Sequence, residues 1–178
     1  MKRFLKLFRK EECGLTLIEL SLAIAITAIL VTGFTMTFYQ VASANARSAS
    51  HMATVKQVES ALYWINHDTQ MSLSISTGSD PADTGFPLTL SWSGYGTSGN
   101  QYMVIYTLVD NELIRAYSVN GGDPTYRTIA KYISMDPEHT NCQYEEGALY
   151  LEFTASVDGP YPATETRIYQ ITKRTDSS

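Results

Sequence analysis

The group in this chain whose type and position most clearly indicate a function is a single carboxylate inside a long apolar run. Glu19 lies five residues after Gly14, at the start of a run that carries no further charge until Arg47. An ionised acid inside a bilayer is expensive, so it needs a cationic partner or must be protonated. The sequence therefore predicts that Glu19 either pairs with a cation or is tolerated as a neutral acid near the membrane surface.

The residues around Glu19 form a recognisable signal. A basic leader, residues 1–14, ends in Cys13-Gly14 and is followed by Leu15-Thr16-Leu17-Ile18-Glu19-Leu20. This pattern closely resembles the class III signal of type IV pilins and type II secretion pseudopilins. The resemblance implies that a prepilin peptidase cuts between Gly14 and Leu15 and methylates the new N-terminus. Most members carry phenylalanine where this chain has Leu15, and an ordinary signal anchor with an isolated acid is the alternative interpretation.

The resemblance also assigns a role to Glu19, which would become the fifth residue of the mature chain. The α-amine of Leu15 would titrate near 8 in water and be largely protonated at neutral pH. Pairing Glu19 with this amine on a neighbouring subunit removes much of the cost of burying the acid, and it fixes the register between subunits. Gly14 suits the cut site, because any side chain there would obstruct a peptidase approaching the backbone.

The leader is basic, whereas the rest of the chain is acidic. The leader holds five of the 13 basic and two of the 18 acidic residues, so the chain that remains has a formal charge of −8. A basic leader before an apolar run predicts a cytoplasmic N-terminus and an exported remainder anchored in the inner membrane. Nucleic acid is not an expected partner, because phosphate binding needs a basic face.

The cysteines do not form a disulfide framework. Cys13 belongs to the leader, so Cys142 has no partner within the chain once the leader is removed. We expect Cys142 to be buried and inert, and pairing between molecules is the alternative.

Nothing in the sequence predicts catalysis. His51, His67 and His139 stand apart, and the side chains of His67 and Asp68 are expected to point about 100° apart on a helix. Asp80 and Asp83, in a loop, offer oxygens for calcium, but their spacing matches no EF-hand. We therefore expect no cofactor, with calcium at this loop as the alternative.

Two helical segments follow the leader. Residues 15–44 are apolar enough to span a membrane and are expected to form the filament core. Residues 45–72 contain no glycine or proline and are expected to form an amphipathic helix packed on the exported domain. Its predicted apolar stripe consists of Met52, Val55, Val58, Leu62 and Ile65, while Thr69 is expected to lie off the stripe.

The rest of the exported domain, residues 45–178, is expected to contain a β-sheet over residues 86–173. Alternation predicts about five strands, and Asp110-Asn111 is a candidate two-residue hairpin turn between two of them. The segment 126–133 fits a strand or a short helix. The predicted fold class is α+β, with a long N-terminal helix packed on an antiparallel sheet, as in pilins.

Three short segments further resemble minor pseudopilins of the J class. They are residues 63–68, Leu113–Tyr117 and Thr166–Gln170. The resemblance implies a minor pseudopilin of a type II secretion-like filament, with other pseudopilins as partners. Two alternatives are a minor pilin of a type IV pilus or DNA-uptake filament and a membrane-anchored binding domain that never polymerises.

Overall fold

The computed structural model describes residues 16–78, 84–94 and 99–172. The chain divides into two units, residues 1–45 and 46–178. One α-helix, α1 (Leu17–Met71), contributes to both units. By length and composition α1 is able to cross a membrane, and its most apolar stretch is not buried in the structure.

The hydroxyl groups in the apolar part of α1 are satisfied within the helix. Thr27, Thr32, Thr35 and Thr37 each donate a hydrogen bond to the carbonyl oxygen four residues earlier, over 2.7–3.0 Å. In hydrocarbon an unpaired hydroxyl is expensive, so this bonding makes the threonines compatible with lipid.

The C-terminal part of α1 provides the helical side of a core. Of the predicted stripe, Val58, Leu62 and Ile65 are buried as expected. Met52 was wrongly assigned to the stripe, since it is 68% exposed, and Thr69 was wrongly placed off it, since it is fully buried. Apolar character alone is a poor guide here, because threonine is also buried on this face of α1. The hydroxyl of buried Thr54 donates to the His51 carbonyl at 2.8 Å, whereas the hydroxyl of Thr69 has no hydrogen-bond partner among the described residues.

The described part of the second unit forms eight strands in two antiparallel sheets. The strands are β1 (Ser74–Ser76), β2 (Leu88–Ser93), β3 (Gln101–Val109), β4 (Glu112–Val119), β5 (Thr125–Lys131), β6 (Asn141–Glu145), β7 (Ala148–Val157) and β8 (Ala163–Thr172). The first sheet has the order β1-β2-β3-β4-β5 and the second the order β6-β7-β8. A bridge between Ile133, two residues after β5, and Ala155 of β7 links the two sheets. The α+β pilin-like fold class is confirmed, with more strands than the five expected.

The local predictions of turns and strands have mixed outcomes. The Asp110-Asn111 hairpin is confirmed, with φ of 50° and 61° as a type I′ turn requires. The segment 126–133, left open between strand and helix, lies mainly in β5. β1 and β6 were missed because serines and alternating polar residues resemble loop sequence, and both strands depend on pairing with longer neighbours.

One apolar cluster joins the helix to both sheets. Leu88 and Leu90 of the first sheet, Leu151 and Phe153 of the second, and Ile65 of α1 are at most 1% exposed. Burying each such side chain contributes about 1.5–3 kcal/mol, so the cluster accounts for much of the drive to fold. The same cluster fixes where the polar groups at the end of α1 meet the first sheet.

Candidate functional site

Glu19 caps the start of α1. Thr16 is the N-cap residue, and its backbone N–H and hydroxyl donate to Glu19 Oε2 over 3.0 and 2.8 Å. The Glu19 N–H lies 3.4 Å from the Thr16 hydroxyl oxygen, which completes a capping box. The sequence contained this signal as Thr-x-x-Glu at 16–19, and the sequence analysis missed it. Glu19 Oε1 makes no hydrogen bond within the described chain and stays available to another group.

Four of the residues singled out from the sequence are not among the residues that the structure describes. Gly14 and Leu15 of the predicted cut site, and Asp80 and Asp83 of the predicted calcium loop, lie outside the described residues. Among the residues that are described, no group of three or more His, Cys, Asp or Glu side chains is arranged to hold a metal ion.

The prediction that His67 and Asp68 diverge is wrong. His67 Nδ1 lies 3.3 Å from Asp68 Oδ1. Rotation about the side-chain bonds allows the side chains of consecutive helical residues to come into contact, even though their Cα–Cβ bonds diverge. The ring of His67 is half exposed, whereas the Asp68 carboxylate is fully buried.

Asp68 is the centre of a buried polar cluster that the sequence analysis did not find. The Tyr106 hydroxyl donates to Asp68 Oδ2 over 2.5 Å. Arg115 donates from Nε to Oδ2 over 2.7 Å and from Nη2 to Oδ1 over 3.1 Å. Burial, together with the nearby carboxylate, raises the pKa of Tyr106 well above its usual range, so the phenol keeps its proton and donates. A buried acid is tolerated only with such partners.

Arg115 also belongs to a group of stacked aromatic and guanidinium groups, which we call the Arg–Trp stack. The Arg115 guanidinium lies 5.1 Å from the centre of the Trp64 ring, and that of Arg127 lies 5.2 Å from the same ring. Arg115 is also 5.2 Å from the Tyr117 ring. Such contacts are worth about 0.5–1 kcal/mol at exposed sites and more when desolvated.

A groove of about 420 Å³ lies beside the Asp68 cluster, between the end of α1 and the first sheet. Its walls include Trp92, Tyr102 and Tyr117, whose rings stack in sequence at 5.7 and 6.2 Å. Arg115 lines it as well, and His67 and Met71 contribute from the helix. The groove therefore combines aromatic walls with one guanidinium.

Cys142 is buried, as expected from the sequence. It is 1% exposed, and burial raises the pKa of its thiol to about 12. Gly85 approaches it so closely that a methyl group at Gly85 would lie 1.9 Å from the Cys142 carbonyl oxygen. The Cys142 N–H donates to the Thr84 carbonyl, which fixes this approach.

We predict that Cys142 in the folded mature protein resists alkylation. Below pH 10 the buried thiol stays protonated, and only the thiolate is an effective nucleophile. Mass spectrometry after iodoacetamide treatment at pH 8 should show an unmodified chain in buffer and a modified chain in urea. Rapid modification in buffer, or a disulfide-linked dimer on a non-reducing gel, would contradict burial.

Comparison with known proteins finds one motif at the N-terminus of the chain. Residues 9–35 match the family model described as the prokaryotic N-terminal methylation motif. The matched range includes Gly14, Leu15 and Glu19 and confirms the class III prepilin signal. No curated protein and no solved structure matches the chain significantly.

Proposed function

We propose that this chain, which carries a class III prepilin signal on a pilin-like fold, is a structural subunit of a filament of the type IV pilin class. The observation that carries the proposal is the methylation motif at residues 9–35, followed by a helix able to cross a membrane. The proteins that carry this motif are structural, which supports a subunit rather than an enzyme.

The proposed path to the filament begins with processing. A prepilin peptidase cuts between Gly14 and Leu15 and methylates the new amine. Before assembly, the processed subunit remains in the inner membrane, with its N-terminus on the cytoplasmic side and its second unit exported. Residues 15–44 form the filament core on assembly, and residues 45–178 form the exported domain.

The proposed assembly contact is an ion pair between Glu19 and the N-terminal amine of a neighbouring subunit. The capping box uses Oε2 of Glu19, and Oε1 has no bond within the described chain. One oxygen can therefore hold the start of the helix while the other accepts a bond from the neighbour. The capping bonds also orient the carboxylate before the neighbour arrives.

The finer proposal is a minor pseudopilin of a type II secretion-like system. Its support is the resemblance of Leu113–Tyr117 and Thr166–Gln170 to J-class segments; the first lies in β4 and the second in β8. A minor pilin of a type IV pilus or DNA-uptake filament is the second candidate. In that role the exported domain is not itself the expected DNA receptor, because the chain after the leader has a formal charge of −8 and phosphate binding needs cationic groups.

A deletion strain separates the two systems. Loss of protein secretion with normal pilus-dependent adhesion and transformation supports the secretion filament. Normal secretion with loss of adhesion or transformation contradicts it and supports the pilus. Complementation with the wild-type chain is the control in both assays.

A further inference from the structure

The Arg–Trp stack contains two like charges in direct opposition. Arg115 of β4 and Arg127 of β5 are register partners, so they face each other across neighbouring strands. Like charges placed directly opposite on a sheet are destabilising. Asp68 neutralises Arg115, but no ion pair to a carboxylate is recorded for Arg127 within the described residues.

This local excess of positive charge stands out against the rest of the exported domain. The chain after the leader has a formal charge of −8. Elsewhere on the sheets, Lys131 and Arg167 are each held by a neighbouring glutamate at 2.9 and 2.7 Å. Arg127, which lacks an ion pair among the described residues, lies opposite a second arginine, and this arrangement disfavours the sheet. Locally unfavourable arrangements of this kind are expected mainly at functional sites.

The adjacent groove contains hydrogen-bond donors that have no partner within the described chain. Both oxygens of Asp68 are engaged by Tyr106 and Arg115. In contrast, no protein hydrogen bond is recorded, in the part of the chain that the structure describes, for the indole N–H of Trp92 or for Nη1 of Arg115. A ligand rich in acceptor oxygens, and carrying negative charge, complements this arrangement.

We propose that the groove and the Arg–Trp stack together form a docking site for an acidic peptide segment of a partner protein. A carboxylate of the segment pairs with Arg127, whose charge has no acidic partner among the described residues, and accepts a hydrogen bond from Nη1 of Arg115. The aromatic walls of the groove pack against the rest of the segment. This site adds a binding function to the exported domain and does not depend on leader cleavage or filament assembly.

The two tryptophans of the chain provide the readout. Trp64 lies in the stack and Trp92 in the groove, and the chain contains no other tryptophan. We would titrate the full chain in detergent micelles with a peptide of alternating glycine and glutamate, and follow tryptophan fluorescence at low ionic strength. The same peptide with glutamine in place of glutamate is the control ligand, and free glucuronate tests an acidic sugar.

The variant Arg127→Gln tests the charge. Arg127 is exposed and makes no recorded hydrogen bond, so the variant should fold. Arg167→Gln removes the same charge from the second sheet and serves as the matched control. Unchanged far-ultraviolet circular dichroism and thermal unfolding establish that both variants are folded.

We expect saturable binding of the glutamate peptide, weakened about tenfold by Arg127→Gln and by less than twofold by Arg167→Gln. The affinity should also fall as salt rises, since the contact is charged. Equal binding of the glutamine peptide, equal loss in both variants, or no saturable change with the glutamate peptide would overturn the proposal. A response to glucuronate alone would replace the peptide with an acidic sugar and would overturn it too.

Discussion

Replacing Glu19 with alanine is expected to abolish filament assembly while the amount of protein in the membrane stays unchanged. The variant keeps an apolar helix, so insertion does not suffer. It loses the acid that would pair with the amine of the next subunit, and breaking one side of a buried ion pair costs roughly 3–5 kcal/mol. Assembly should be measured as sheared filaments by immunoblot, beside the level of the protein in membrane fractions.

A second variant separates the two roles of Glu19. Thr16→Ala removes the hydroxyl of the capping box but keeps the carboxylate. Losing an N-cap costs about 0.5–2 kcal/mol, so assembly should weaken without disappearing. If both variants abolished filaments equally, capping rather than pairing would be the role of Glu19. Normal filaments in Glu19→Ala would instead mean that Glu19 is not needed for assembly. A wild-type chain that is present in the membrane but absent from sheared filaments would favour a membrane-anchored domain that never polymerises.

Replacing Asp68 with alanine is expected to cause the largest loss of stability in the exported domain. The variant leaves Arg115 and Tyr106 without the acceptor that each of them bonds at 2.5–2.7 Å. Leaving the partly buried Arg115 guanidinium without its acid lowers the free energy of unfolding by at most roughly 3–5 kcal/mol, because water in the groove replaces part of the lost contact. Urea unfolding of the full chain, followed by tryptophan fluorescence, measures this difference.

Two variants with smaller expected losses of stability serve as comparisons for Asp68→Ala. Tyr106→Phe removes one hydrogen bond but no charge, so a loss of about 1–3 kcal/mol is expected. His67→Ala should cost less, because its ring is half exposed and its contact with Asp68 is 3.3 Å. An Asp68→Ala variant that unfolds at the same urea concentration as wild type would mean that the cluster does not hold α1 on the sheet.

The features that could be predicted from the sequence are local ones. The prepilin signal depends on spacing within a short stretch, and the hairpin at Asp110-Asn111 depends on two residues that tolerate positive φ. Helical spacing predicted the burial of Val58, Leu62 and Ile65, although the same spacing wrongly included Met52. The capping box was equally local, and it was missed only because Glu19 was considered as a membrane acid rather than as a helix residue.

The features that could not be predicted depend on distant partners. Asp68 meets Tyr106 and Arg115 from 38 and 47 residues away. From sequence alone, an aspartate near the end of a helix is expected to be solvated. Its burial depends on the packing of the first sheet against the helix, which the sequence does not reveal. The division into two sheets was equally hidden, because β1 and β6 are short and polar and gain their strand character by pairing.

The central claim is that the chain is a prepilin processed at Gly14, and mass spectrometry of its N-terminus tests that claim most directly. The protein should be taken from the membranes of its own host, measured intact and as N-terminal peptides. We expect a chain that begins at Leu15 and carries one added methyl group on its amine. A chain that still begins at Met1, in a host with an active prepilin peptidase, would contradict prepilin processing and favour an anchored α+β domain.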